Sequence, residues 1–191
     1  MPEEHRREAP RRLRFAIVVV STSRYRALQE GREVPPDITG DIIQALVSGA
    51  GHEVVSRCVA PDDVRALRDI LKAEMARGVD AIIFAGGTGL SPDDVTVEAI
   101  RPLLDKELPG FGELFRRLSY ERVGTAAMLS RALAGVKQGV AVFCLPGSPD
   151  AAELAVRELI LPEVGHMIKH ARERRGHELS LIHISEPTRP Y

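Results

Sequence analysis

A three-layer α/β/α fold around a mostly parallel sheet is the class this sequence predicts, from three observations. Short apolar runs rich in β-branched residues recur at 14–20, 52–59, 79–85 and 139–145, each of strand length. Stretches with apolar residues at helical spacing separate them, and strands alternating with helices pair in parallel under helices on both faces. The third run ends in Gly86-Gly87-Thr88-Gly89, which suits a backbone turn at the carboxyl edge of such a sheet. With 191 residues the chain accommodates one domain of this kind and is too short for two.

The elements follow in order. Arg14 to Val20 is a buried strand, and a polar loop over 21–39 comes after it, carrying Arg24, Arg26, Arg32, Pro35, Pro36 and Asp37. Ile42, Ile43, Leu46 and Val47 then mark a helix that Gly49 and Gly51 end. His52 to Val59 is the second strand. Asp62 is placed to cap the next helix, in which Val64, Leu67, Ile70, Leu71 and Met75 form one apolar stripe ending at Gly78. Val79 to Ala85 is the third strand. Beyond the glycine turn, Pro102 and Pro109-Gly110 break a helical stretch, and 112–119 and 125–134 are predicted as helices. Gly139 to Leu145 is the fourth strand and ends in Pro146-Gly147-Ser148-Pro149. A long helix from about Ala151 to Arg174 closes the domain, with a kink at Pro162.

Composition narrows the function classes. A formal net charge of −1 offers no global field to recruit nucleic acid or anionic lipid. No apolar stretch reaches membrane-span length, and the N-terminus lacks the apolar core of a secretory signal, so a cytoplasmic protein is expected. Cys58 and Cys144 each lie inside an apolar run and are read as small core residues. Residues 1–12 form a basic arm, expected to be flexible. The segment 176–191 resembles translated cloning or adapter read-through and is set aside as a non-native tail. The functional domain is thereby bounded at 13–175.

Ligands of doubly wound sheets bind beyond the carboxyl ends of the strands, where three loops meet here: 21–39, 86–96 and 146–150. Glycines let backbone amides close on an anion, and aspartates just beyond such a turn suit the Mg²⁺ that accompanies a nucleotide. Asp93 and Asp94 stand there. Elsewhere Glu163, His166 and His170 share one helical face, which without a fourth ligand is expected to be a solvated face.

Five segments carry a resemblance: Asp37-Ile38-Thr39-Gly40, Gly86 to Gly89 with Asp94-Val95-Thr96, Pro109 to Glu113, Leu129-Ser130-Arg131, and Leu145 to Pro149. In this order and on these elements they resemble the MoaB/Mog family of molybdenum cofactor biosynthesis proteins, over roughly residues 13–175. Leu118-Ser119-Tyr120 and Leu161-Pro162-Glu163 favour the MoaB branch. The resemblance implies a molybdopterin-binding fold and a Mg-ATP-dependent adenylylation of molybdopterin that releases pyrophosphate. It also implies a homotrimer, or a hexamer built from trimers.

Residue by residue, the resemblance implies that Asp37 and Asp94 are catalytic and hold or orient Mg²⁺ and the phosphates. Thr39, Gly40, Gly86, Gly87, Thr88 and Gly89 match its nucleotide- and molybdopterin-binding positions. Glu113, Ser130, Arg131, Pro146, Gly147 and Ser148 match others that line the pocket. Asp93 stands where many relatives carry arginine, and Asp150 where Mog-type members often carry lysine, so a less cationic pocket is expected. Two alternatives compete with the transferase: a MoaB-like protein that binds molybdopterin or nucleotide without turnover, and a CinA-type ADP-ribose pyrophosphatase.

Overall fold

A computed structural model describes residues 12–173. The tail from 176 and all but the last residue of the basic arm therefore lie outside the described residues. The strands are β1 (Arg14–Val20), β2 (Glu53–Ala60), β3 (Ala81–Ala85), β4 (Lys106–Glu107), β5 (Leu133–Lys137) and β6 (Val140–Leu145). They form one sheet in the order β2-β1-β3-β6-β5-β4. Pairing is parallel from β2 through β1 and β3 to β6, then antiparallel through β5 to β4. The mostly parallel sheet is present, with an antiparallel margin that the sequence reading did not foresee.

Each central strand is apolar on both sides because both sides are covered. Phe15, Ile17, Ile83 and Phe143 pack under α2 (Ile38–Gly49), α5 (Pro109–Val123), α6 (Pro149–Ala155) and α7 (Leu161–Arg172). Their alternating neighbours Ala16, Val18, Ile82, Phe84 and Val142 pack under α3 (Val64–Ala76) and α4 (Thr96–Ile100). The period-2 pleat divides one apolar run between two cores. Each large side chain fully buried this way contributes roughly 1.5–3 kcal/mol.

Four expectations need correction. Residues 22–29, read as loop, form α1 (Thr22–Gln29), in which Ala27 is the one buried residue, so no apolar stripe announced it. Ser21 caps it, accepting from the Arg24 amide. Asp63 rather than Asp62 caps α3, its carboxylate accepting the Ala66 N–H at 2.8 Å. Residues 125–134, read as helical, are a 3₁₀ turn (Gly124–Leu129) followed by the start of β5. The closing helix is interrupted by a π turn at Val156–Ile160, directly before Pro162. Proline offers no N–H to the carbonyl four residues back and its ring displaces it, and the wider turn absorbs that displacement.

Cys58 and Cys144 are free thiols, and burial raises the pKa of both. His52 enters the domain edge differently. Its Nδ1 accepts the Leu13 N–H at 3.2 Å, and its ring lies 5.4 Å from that of Phe15. Desolvation lowers its pKa below the ordinary 6.5, against the opposing pull of Asp80. The unfolded chain then binds the proton more readily, so stability rises with pH between the lowered value and 6.5. The urea midpoint of the wild type is expected to fall as pH drops through 6.5, relative to a His52→Gln variant. Parallel profiles of the two proteins would exclude His52 as the source.

Candidate active site

The glycine turn is built by close backbone approach at the carboxyl ends of three neighbouring strands. Gly86 has φ +114° and Gly87 φ +65°, both left-handed, where side-chain-bearing residues are strained. The Gly86 N–H donates to the Leu145 carbonyl at 2.9 Å, and a Cβ on Gly86 would overlap the Val20 carbonyl oxygen. A Cβ on Gly147 would lie 3.3 Å from the Gly86 Cα. β1, β3 and β6 thus end against one another with no room for side chains between them.

Three carbonyls of this turn, those of Gly86, Gly87 and Thr88, are turned into the protein. Thr96, fully buried, donates its hydroxyl to the Gly86 carbonyl and its N–H to that of Gly87, both at 2.9 Å. Arg131 Nε donates to the Thr88 carbonyl at 3.1 Å. In a trans peptide the N–H points opposite the carbonyl. Anchoring three carbonyls therefore turns the amides of Gly87, Thr88 and Gly89 away from the anchors. Among the described residues none of the three meets an acceptor. A row of unpartnered amides on a glycine turn is the arrangement from which anion nests are built.

The cleft in front of the turn measures about 460 Å³ and is lined by Gly86 to Gly89, Asp94, Ser130, Pro146 and Gly147, with Val20, Ala126 and Leu129 supplying apolar wall. Asp94 is half-buried, and its Oδ2 accepts the Ser91 N–H at 3.1 Å. That carboxylate lies against the turn: a Cβ on Gly89 would sit 2.6 Å from Oδ2. Its Oδ1 meets no donor among the described residues. Asp93 is exposed beside it and Asp150 is exposed in the first turn of α6, and neither lines the cleft.

Other predicted residues stand outside the lining. Arg131 forms an ion pair with Glu98, whose carboxyl is held below its ordinary range chiefly by that hydrogen bond. Its guanidinium thus clamps the turn from behind. Thr39 donates to the Gly147 carbonyl at 2.8 Å, which ties the start of α2 to the last loop. Ser148 caps α6, accepting from the Ala151 amide. Glu113 is exposed on α5, beyond the cleft lining.

Asp37 uses both oxygens within the protein. Oδ1 accepts the Gly40 N–H at 3.0 Å as the α2 cap, and Oδ2 pairs with Arg57 at 2.7 Å. A Cβ on Gly40 would press on this pair, so Gly40 is required by crowding. Asp37 borders a separate cleft with Arg24, Pro35 and Arg57.

Two contributors were given no role in the site from the sequence. Thr96 anchors the turn, and Asp62 accepts from the Thr22 hydroxyl at 2.8 Å while its other oxygen stands 2.7 Å from where a Gly87 Cβ would be. Threonine two residues after Asp94 was a legible signal for the first. Nothing local distinguishes Asp62 from the neighbouring cap Asp63.

Known proteins are similar to this chain in sequence and fold. The family described as "Probable molybdopterin binding domain" matches residues 16–166. A protein of Halalkalibacterium halodurans named molybdenum cofactor biosynthesis protein B is 42% identical over 175 residues, covering 91% of this chain and 98% of its own length. The molybdopterin adenylyltransferase of Pyrococcus furiosus is 41% identical over 175 residues, covering 90% and 98%. The crystal structure of the tungsten cofactor synthesizing protein MoaB from Pyrococcus furiosus superimposes with a TM-score of 0.77 at 40% identity, over 86% of this chain and 100% of that one.

Proposed function

The chain belongs to the MoaB/Mog family of molybdopterin-binding proteins, and from that premise we propose that it is a molybdopterin adenylyltransferase of molybdenum cofactor biosynthesis. The terminal phosphate oxygen of molybdopterin attacks the α-phosphorus of ATP. The bond to the β-phosphate oxygen breaks, and pyrophosphate leaves with its electron pair. Such a transfer needs two anions held in line and their charge offset more than it needs covalent help.

The observation that carries this reading is the nest: three amides without acceptors beside a cleft that also holds the Asp94 carboxylate. The amides of Gly87, Thr88 and Gly89 bind phosphate oxygens and stabilise charge that builds during transfer. Mg²⁺ takes one or two carboxylates plus substrate phosphates and keeps several waters. Asp94, with Oδ1 unengaged, fits that donor set and is the residue that would hold the ion. Bound there, the ion neutralises phosphate charge as a Lewis acid. Both oxygens of Asp37 already accept from the protein, and Asp37 borders the separate cleft with Arg57. In the arrangement described it acts by position, fixing the helix start from which Thr39 braces the Gly147 loop.

Assembly as a homotrimer or hexamer is part of the proposal. Leu114, Tyr120, Val123, Met128 and Leu129 are exposed along α5 and the turn after it, next to the cleft wall. An apolar strip of this kind suits burial between symmetry-related copies. Two free cysteines suit a reducing, cytoplasmic setting. Among the described residues no helix is long and apolar enough to cross a membrane.

The test is incubation of purified protein with molybdopterin, ATP and Mg²⁺, with chromatography for adenylylated molybdopterin and pyrophosphate. Metal-dependent formation of both is the expected result. Tight molybdopterin binding with no adenylylated product would move the chain to a binding role.

A further inference from the structure

The end of the sheet remote from the cleft carries a second constellation. His166 and His170 stand one turn apart on α7, where they line a groove of about 770 Å³ against the β4–β5 margin. This groove shares no lining residue with the cleft at the glycine turn. Their Nε2 atoms face one another at 2.8 Å, with ring centroids 4.5 Å apart and the planes inclined by 55°. On the far side of each ring stands a carboxylate. Glu163 lies 3.3 Å from Nδ1 of His166, and Glu173 lies 3.1 Å from Nδ1 of His170.

Proton placement follows from these partners. A carboxylate accepts, so each Nδ1 carries its hydrogen and donates. The two Nε2 atoms at 2.8 Å share a hydrogen bond in which either ring can donate, and once that proton leaves both lone pairs converge on one point. A divalent cation can replace that proton between the two nitrogens. Imidazole suits zinc-class divalent ions, and a carboxylate on the remote ring nitrogen is the usual outer support of a metal-bound histidine. Zn–N bonds of about 2.0–2.1 Å at a tetrahedral angle set the nitrogens about 3.3 Å apart, an opening of about half an ångström.

We propose that His166 and His170 form a two-imidazole site for a zinc-class divalent cation, oriented by Glu163 and Glu173. Among the described residues no third His, Cys, Asp or Glu joins them. The remaining coordination positions therefore belong to water or to a donor entering the groove. The site is separate from the Mg²⁺ role of Asp94 and uses nitrogen rather than oxygen ligands.

The test is calorimetric titration of the full chain with Zn²⁺ at neutral pH, on the wild type, on His166→Ala/His170→Ala and on Glu163→Gln. One ion per chain is expected in the wild type, with affinity at least about 10-fold lower in Glu163→Gln and the corresponding heat absent in the double variant. On adding Zn²⁺, nitrogen-15 imidazole shifts should report both rings as Nδ1–H tautomers with metal-bound Nε2. The chain has six histidines, so binding retained by the double variant would assign zinc to the others and overturn the proposal. Absence of zinc binding by the wild type would overturn it equally.

Discussion

Replacing Asp94 by asparagine is expected to lower adenylyl transfer at least about 100-fold while the chain stays folded. The substitution conserves volume, and the asparagine carbonyl can still accept the Ser91 N–H that Asp94 Oδ2 accepts at 3.1 Å. What disappears is the negative charge on the cleft wall, next to the three open amides. A divalent ion held there would supply several kcal/mol of charge stabilisation, so removing its carboxylate should appear in turnover. Asp37→Asn provides the contrast. Asparagine still caps a helix, but the pair with Arg57 is lost, and about 1–2 kcal/mol of stability goes with it. Steady-state rates and thermal melts on both variants separate the roles. Near-normal turnover in folded Asp94→Asn would remove Asp94 from the mechanism.

The parts of this protein that sequence reading captured are those with one physical cause. β1, β3 and β6 are buried on both faces, so their runs are apolar without interruption and could be nothing but central strands. Gly86 to Gly89 was legible because three glycines in four residues have few uses beyond close backbone approach. β5 was not legible. Its residues Leu133 to Lys137 include alanine and glycine, and their strand character comes from pairing with β6 rather than from propensity. A local signal existed in the turn that joins them, where Gln138 has φ +48° and Gly139 φ +77°. Two left-handed residues in succession make the tight connection of an antiparallel hairpin. Reading Gly139 as the first residue of a strand concealed it.

The site divides the same way. Residues on the turn itself could be named from spacing, whereas its anchors depend on tertiary approach. Arg131 matched a family position, yet the structure turns it to the back of the turn, where Glu98 and the Thr88 carbonyl hold it. Asp93 and Asp150, whose charges predicted a less cationic pocket, stand off the lining. Charge counted along a sequence says little until the face each charge occupies is known.

The second large effect is expected from a methyl group. Gly86→Ala should lower the melting temperature by at least about 6–12 °C and abolish nucleotide binding. The added Cβ would overlap the Val20 carbonyl oxygen, which is backbone of β1 at the residue paired with Ala60 of β2. The residue would also keep φ near +114°, a conformation costly for alanine. Strain and overpacking together amount to about 3 kcal/mol or more, because neither neighbour is the free end of a side chain. Any relief comes from moving the turn, and the turn carries the amides that would bind phosphate. Gly49→Ala is the matched control: it ends α2 and a Cβ there meets nothing within 4 Å. That variant should melt at or slightly above the wild-type temperature and bind ATP normally. Equal melting of the two variants would mean that the backbones of β1, β3 and β6 do not converge as closely as the cleft requires.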